Sequence, residues 1–173
     1  MKILALDPSV MNRCGWATAK LEWADGDHTT PAMQRGKLVT EEWNWGSWEI
    51  NGMNFKVRCV DLKDWIERDI GEFDMIVIEW PMFYSGHKGM IAAQEGYTIN
   101  LAGIAMFIVG WFRVPARWVY LYTAPTWKGT VSKMITARRF FKLFNLVETE
   151  VDHDAIDACM MLVYHVRTIG LTT

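Results

Sequence analysis

Cysteine is scarce: Cys14, Cys59 and Cys159 are odd in number, far apart, and form no CxxC pair. That excludes a disulfide framework and gives no zinc signature, so each reads as a small buried hydrophobe. Long apolar runs are missing too. The longest uncharged one, Leu101 to Phe112, falls short of the roughly 20 residues a membrane span needs, so no membrane partner is expected. The opening residues Met1 to Asp7 meet a charge too early to read as a signal peptide. No repeat, low-complexity tract or linker divides the 173 residues. The chain is therefore expected to be one soluble, intracellular domain with a sizeable core.

Acidic residues are absent from Gly96 to Val147, although the whole chain carries a formal net charge of -2. The same segment holds Arg113, Arg117, Lys128, Lys133, Arg138, Arg139 and Lys142. A basic stretch of this kind can bind a phosphate backbone whatever the net charge of the domain, or can be a solvated helix face.

The apolar run Lys2 to Leu6, closed by Asp7-Pro8-Ser9, reads as a buried strand and turn. Gly15 to Trp23 is a second strand. Gly36 to Val39, followed by Glu42 to Ile50, supplies a third, and the loop Ala24 to Pro31 makes a hairpin of the second and third. Phe55, Cys59, Leu62, Ile66 and Ile70 have helical spacing, with Gly71 as the stop. Met75 to Ile78 is a central strand that ends at Glu79. Ile91 to Phe112 reads as an apolar helix and Trp118 to Tyr122 as a strand. Ser132 to Phe144 is a basic amphipathic helix with Ser132 as N-cap. Asp154 to Arg167 is the last helix, with Ala155, Cys159, Leu162, Val163 and Val166 on its core side. A three-strand meander followed by alternating helices and strands is an α/β fold with a mixed sheet.

Two acids stand in unusual places in this pattern. Asp7 and Glu79 each end a buried strand, where a carboxylate costs desolvation energy unless it is paired or binds a metal. Asp154 and Asp157, three residues apart at the start of the last helix, share one face. If that face meets the strand ends, four carboxylates converge. Such a cluster needs cations, and hard oxygen donors select Mg²⁺ or Mn²⁺. Two such ions, about 3.5–4 Å apart, suit in-line phosphodiester hydrolysis. Taken one at a time, a turn at Asp7-Pro8, an exposed strand end at Glu79 and a helix N-terminus at Asp152 to Asp157 explain each acid without a metal.

The order of these motifs resembles the RuvC-type Holliday junction resolvases of the RNase H-like superfamily. Ile3 to Ser9 followed by Gly15-Trp16-Ala17, then Ile76-Val77-Ile78-Glu79, then Asp154-Ala155-Ile156-Asp157-Ala158, are similar to the family's acidic motifs. Ala124 to Lys128 and the later Lys133 resemble its basic segment. The resemblance spans essentially the whole chain. It implies an RNase H-like mixed sheet flanked by helices, with Asp7, Glu79, Asp154 and Asp157 as ligands for two Mg²⁺ or Mn²⁺ ions per site. It also implies a homodimer that makes paired nicks in a four-way DNA junction, and 5′-phosphate products. Ser9 stands where the family usually has glycine, the glycine-rich stretch before the second lysine is shortened, and the segment Trp43 to Trp48 is no family hallmark. These departures suit a diverged, phage-encoded relative, located in the cytoplasm of a bacterium or an infected host cell.

His153 is a further catalytic or ligand candidate, or a capping-region histidine. His28, His87 and His165 read as surface or satisfied structural histidines. The family's junction wedge, an aromatic after the second acid, implicates Phe83 and Tyr84, with Trp80 read as core. Lys128, Lys133, Arg138 and Arg139 are the expected DNA contacts. The apolar Ile91 to Phe112 helix carries more hydrophobic surface than one sheet covers, which points to a dimer face. Flap, fork or RNA–DNA hybrid cleavage stays open beside junction resolution, as does a non-catalytic nucleic-acid-binding module. An actin-like or sugar-kinase-like ATPase needs a longer chain and glycine-rich phosphate loops not found here.

Overall fold

The structure is a computed structural model that describes residues 1–8, 13–23, 36–49, 54–82, 90–91, 94–147 and 152–169. The chain runs β1 (Lys2–Asp7), β2 (Arg13–Trp23), β3 (Gly36–Glu49), α1 (Phe55–Trp65), β4 (Met75–Glu79), α2 (Tyr97–Phe112), β5 (Val119–Tyr122), α3 (Ala124–Lys128), α4 (Lys133–Leu143) and α5 (His153–Thr168). The strands form one sheet in the order β3-β2-β1-β4-β5. β1, β2 and β3 are an antiparallel meander, and β1, β4 and β5 run parallel.

Two short apolar runs become the central strands, buried on both faces as parallel strands under helices are. Ile3 to Leu6 and Met75 to Ile78 are at most 1% exposed. Alternation along β1 divides the core. Ile3 and Ala5 meet α5, Trp127 and Phe140 on one face. Leu4 and Leu6 meet α1 and α2 on the other. The tryptophan-rich segment is core for both layers. Trp43 and Trp45 pack on Phe144 at ring separations of 5.2 Å, and Trp48 stacks on Trp65 at 5.6 Å. Trp80 packs against the α1–α2 layer, as read from the sequence.

Several boundaries differ from the sequence reading. The third strand is continuous from Gly36 to Glu49, because a register shift between Thr18 and Lys20 absorbs residues that periodicity alone splits into two runs. The predicted Phe55 to Ile70 helix changes to a π-helical turn at Ile66–Ile70, closed by Gly71 at φ 71°. The helix predicted from Ile91 forms its regular part only from Tyr97, because Gly96 adopts a left-handed conformation at φ 72°. A 3-10 turn at Ala116–Trp118 takes the first residue of the predicted fifth strand. The last helix begins at His153 with Asp152 as its cap. The short helix α3, with Pro125 in its first turn, was not assigned from sequence. The hairpin loop Ala24 to Pro31 lies outside the described residues. All three cysteines are buried. Among the described residues, no helix is long and apolar enough to cross a membrane.

Candidate active site

Leu6 lies opposite Ile78, so the next residues, Asp7 and Glu79, emerge side by side at the same end of β1 and β4. Asp7 also pairs across the sheet with Gly15 of β2, and Gly15 with Ser47 of β3. The first turn of α5 sits on this row. A Cβ at Gly15 would lie 2.0 Å from the carbonyl oxygen of Asp154, so only glycine allows the helix to approach the strand this closely. The Ser47 hydroxyl donates to Asp152 Oδ2 at 2.6 Å. Asp152 Oδ1 accepts from the backbone N–H groups of Asp154 and Ala155, each at 3.2 Å. This cap satisfies two of the helix's orphan donors and fixes its start. The strand ends and the helix start together bring Asp154 and Asp157 to Asp7 and Glu79.

The electrostatics are those of crowded carboxylates. Dehydration raises the Asp7 pKa well above the usual range, the charges of Glu79, Asp157 and Asp154 raise it further, and Lys128 opposes them. Part of the Asp7 residue still reaches solvent. Glu79 is raised as well, chiefly by dehydration, against the hydrogen bond from Trp127 and the charge of Lys128. Trp127 Nε1 donates to Glu79 Oε2 at 2.9 Å. Asp157 is 2% exposed, and its partner is the Lys128 ammonium at 2.8 Å. Lys133 lies 3.5 Å from Asp154. Buried below, the Cys14 thiol is pushed up by burial first, and then by Asp7 and Asp154, so it stays protonated and unreactive.

Perturbed, mutually repelling acids at one end of a sheet mark a candidate functional site. An all-oxygen, anionic donor set fits a hard divalent cation in chemistry. His153 Nδ1 is buried with no hydrogen-bond partner, which leaves a free nitrogen beside Asp154. In geometry the fit is incomplete: among the described residues, no three acid, histidine or cysteine side chains are spaced to grip one ion. The positive charge inside the cluster comes instead from Lys128.

The two predicted DNA-contacting lysines are thus part of the carboxylate site itself. Arg138 and Arg139 are exposed on α4, and neither is ion-paired among the described residues. The wedge candidates Phe83 and Tyr84, like His28 and His87, lie outside the described residues. His165 is buried, its Nδ1 3.0 Å from the Tyr122 hydroxyl and its Nε2 3.1 Å from Met75 sulfur. Burial lowers its pKa to about 4, a satisfied structural histidine. Sequence reasoning missed Trp127 and Ser47 as supports of the site. The signal for Ser47 is topological, visible only once its strand is registered against Gly15.

No protein-family model matches the sequence, and no curated protein matches it either. Among solved structures the chain is similar to T. thermophilus RuvC, determined in complex with a Holliday junction substrate. The identity is 16%, the coverage 98% of this chain and 97% of that one, and the TM-score 0.58. It also aligns with Fowlpox virus resolvase, determined with substrate Holliday junction DNA, at 17% identity over 94% of this chain and 97% of that one, with a TM-score of 0.42. The fold assignment rests on the first: the described residues have the RNase H-like fold of that RuvC structure.

Proposed function

We propose that this chain is a RuvC-type resolvase, an endonuclease that nicks branched DNA, four-way junctions above all, using divalent metal ions held by Asp7, Glu79, Asp154 and Asp157. The observation that carries the reading is the gathering of these acids from three separate elements, with Asp7 and Glu79 held in a state that raises their pKa values. Lys128 and Trp127 offset only part of this repulsion, which supports the reading that the acids are gathered for a ligand. The likeness in fold to RuvC over nearly the whole chain supports the same reading.

When bound, two Mg²⁺ or Mn²⁺ ions would activate the attacking water and stabilise the leaving 3′ oxygen. The chain's own residues do the rest. Asp7, Glu79, Asp154 and Asp157 concentrate the negative charge that would hold the ions at the strand ends, and the buried, unpartnered Nδ1 of His153, adjacent in sequence, is a further candidate ligand. Trp127 orients the Glu79 carboxylate through its indole N–H. Lys133, 55% exposed at its side chain and next to Asp154, meets a phosphate arriving at the mouth of the cluster. Lys128 holds its charge inside the cluster, where it would offset charge developing on the phosphate. Ile99 and Met106, seven residues apart and at least half exposed on α2, share an apolar face suited to the symmetric contact that paired nicking requires.

The test is a substrate panel with Mg²⁺: four-way junction, flap, fork, linear duplex and RNA–DNA hybrid. Paired nicks in the junction, with little cutting of linear duplex and 5′-phosphate ends, are expected. Preferential cutting of a flap, fork or hybrid would move the substrate within the same chemistry. Binding without cutting of any substrate would leave a non-catalytic module.

A further inference from the structure

On the outer side of α3, where that helix faces α4 and α5, lies a cavity of about 510 Å³, within the range of small-ligand sites. Four cations line it: Lys128, Arg139, Lys142 and Arg167, with no acid among the lining residues. Its floor is apolar and aromatic, made by Leu143, Met160, Val163, Tyr164 and Trp127. The helices explain the composition. Arg139 and Lys142 are one turn apart on α4, and Met160, Val163, Tyr164 and Arg167 follow at helical spacing on α5, so two facing stripes close on one space. Arg138, beside Arg139 in sequence, is not among the lining residues. Arg139, Lys142 and Arg167 have no ion-pair partner among the described residues. Tyr164 packs edge-on against Tyr122 at 5.2 Å, which sets the position of its ring in the floor.

The cavity also shares a wall with the carboxylate site. Trp127 lines it while donating to Glu79, and Lys128 lines it while pairing with Asp157. Unpaired cations call for an anion, and an apolar, aromatic floor calls for a flat ring. A nucleotide carries both. We propose that this cavity is a subsite for one unpaired nucleotide of a DNA strand, its phosphate held by Arg139, Lys142 and Arg167 and its base resting on the floor beside Tyr164. The assignment rests on the reading of the chain as a DNA-acting protein. It adds that the strand passes from the carboxylates over Trp127 and Lys128 into the cleft between α4 and α5.

The test measures binding by the metal-free full chain, so it does not depend on cleavage. A short labelled single strand and its abasic counterpart are titrated by anisotropy, and inorganic phosphate by calorimetry. The variants are Arg167→Ala, Met160→Trp, which narrows the cavity beside Tyr164 without changing charge, and Lys56→Ala, an equal loss of charge on α1 across the sheet. The intact strand is expected to bind at least about fivefold more tightly than the abasic one, from stacking of the base. Met160→Trp is expected to remove that difference. Arg167→Ala is expected to weaken both strands by about threefold to tenfold and flatten the salt dependence, by loss of one phosphate contact. Lys56→Ala is expected to change neither. Equal binding of intact and abasic strands would reduce the cavity to a phosphate site and overturn the proposal. So would a Met160→Trp protein, folded by thermal melt, that keeps the difference, or a Lys56→Ala loss as large as that of Arg167→Ala. Should Met160→Trp not fold, Arg167→Ala on an exposed side chain still decides against the control. Failure of the nuclease reading would appear instead in the cleavage panel, leaving these affinities as they are.

Discussion

Replacing Gly15 with alanine tests how the sheet and the last helix build the site. The added Cβ would lie 2.0 Å from the Asp154 carbonyl oxygen and 2.4 Å from its carbon. Contacts of that kind do not fall below about 3 Å, so the start of α5 must retreat by about 1 Å. Overpacking of this kind costs about 1–3 kcal/mol, or about 2–12 °C in Tm for a chain of this size. The larger effect falls on chemistry. Asp154 and Asp157 move with the helix, and a shift of about 1 Å in a reacting group costs roughly 100-fold in rate. Gly46→Ala is the matched control, because the nearest atoms its Cβ would meet belong to the Trp16 side chain, at 3.1 Å, rather than to backbone. The assay is single-turnover cleavage of a four-way junction, with a thermal melt of each variant. Gly15→Ala is expected to fold, melt lower and cleave about 100-fold more slowly, with Gly46→Ala near wild type in both. A Gly15→Ala protein with unchanged rate and Tm would refute the claim that this glycine sets the distance between strand and helix.

Cleavage is expected to need Mg²⁺ or Mn²⁺, with Ca²⁺ supporting binding alone because its looser coordination organises an in-line attack poorly; full activity in excess chelator, measured on the same junction, would contradict this. His165 is neutral in the fold, with a pKa of about 4 against an ordinary 6.5. Below pH 6.5 the unfolded chain takes up a proton that the folded one refuses, so stability falls as pH drops from 6.5 towards 4, by up to about 3 kcal/mol. Melts across that range for wild type and His165→Gln check it, since the variant should lose that part of the slope. Ile99→Glu or Met106→Glu is expected to leave folding intact and convert a dimer to monomer in sedimentation velocity, with paired nicking reduced to single nicks. A wild-type protein that is monomeric at micromolar concentration would remove this face from the account.

The central strands were legible because they are apolar on both faces, and an acid that terminates such a run is conspicuous. The helix carrying Asp154 and Asp157 was legible for a different reason, the helical spacing of its core-side residues. What periodicity does not carry is contact between distant segments. Ser47 holds Asp152 only because β3 is registered against Gly15, and three residues of slippage at the Thr18–Lys20 irregularity were invisible in the sequence. Lys128 and Lys133 were read as DNA contacts and also as charges close to the scissile phosphate. The fold carries them over the strand ends to Asp157 and Asp154, ion pairs that periodicity could not show. Gly96 was read as helix interior, where its positive φ makes it a boundary. Arg138 and Arg139 were grouped as neighbours in sequence, but successive residues on a helix point about 100° apart, and only Arg139 lines the cavity.

The central claim is that Asp7 belongs to a metal-dependent cleavage site and not to the scaffold, and the Asp7→Asn variant tests it most directly. Its raised pKa means that the charged form is disfavoured by folding at neutral pH. Removing the charge with an amide of the same shape should therefore leave Tm unchanged or higher. Loss of a metal-binding carboxylate should at the same time lower single-turnover junction cleavage in Mg²⁺ by more than about 100-fold, since even residues that only support metal ligands cost about 10–100-fold. Undiminished cleavage by folded Asp7→Asn protein, or a lower Tm with activity retained, would contradict the assignment.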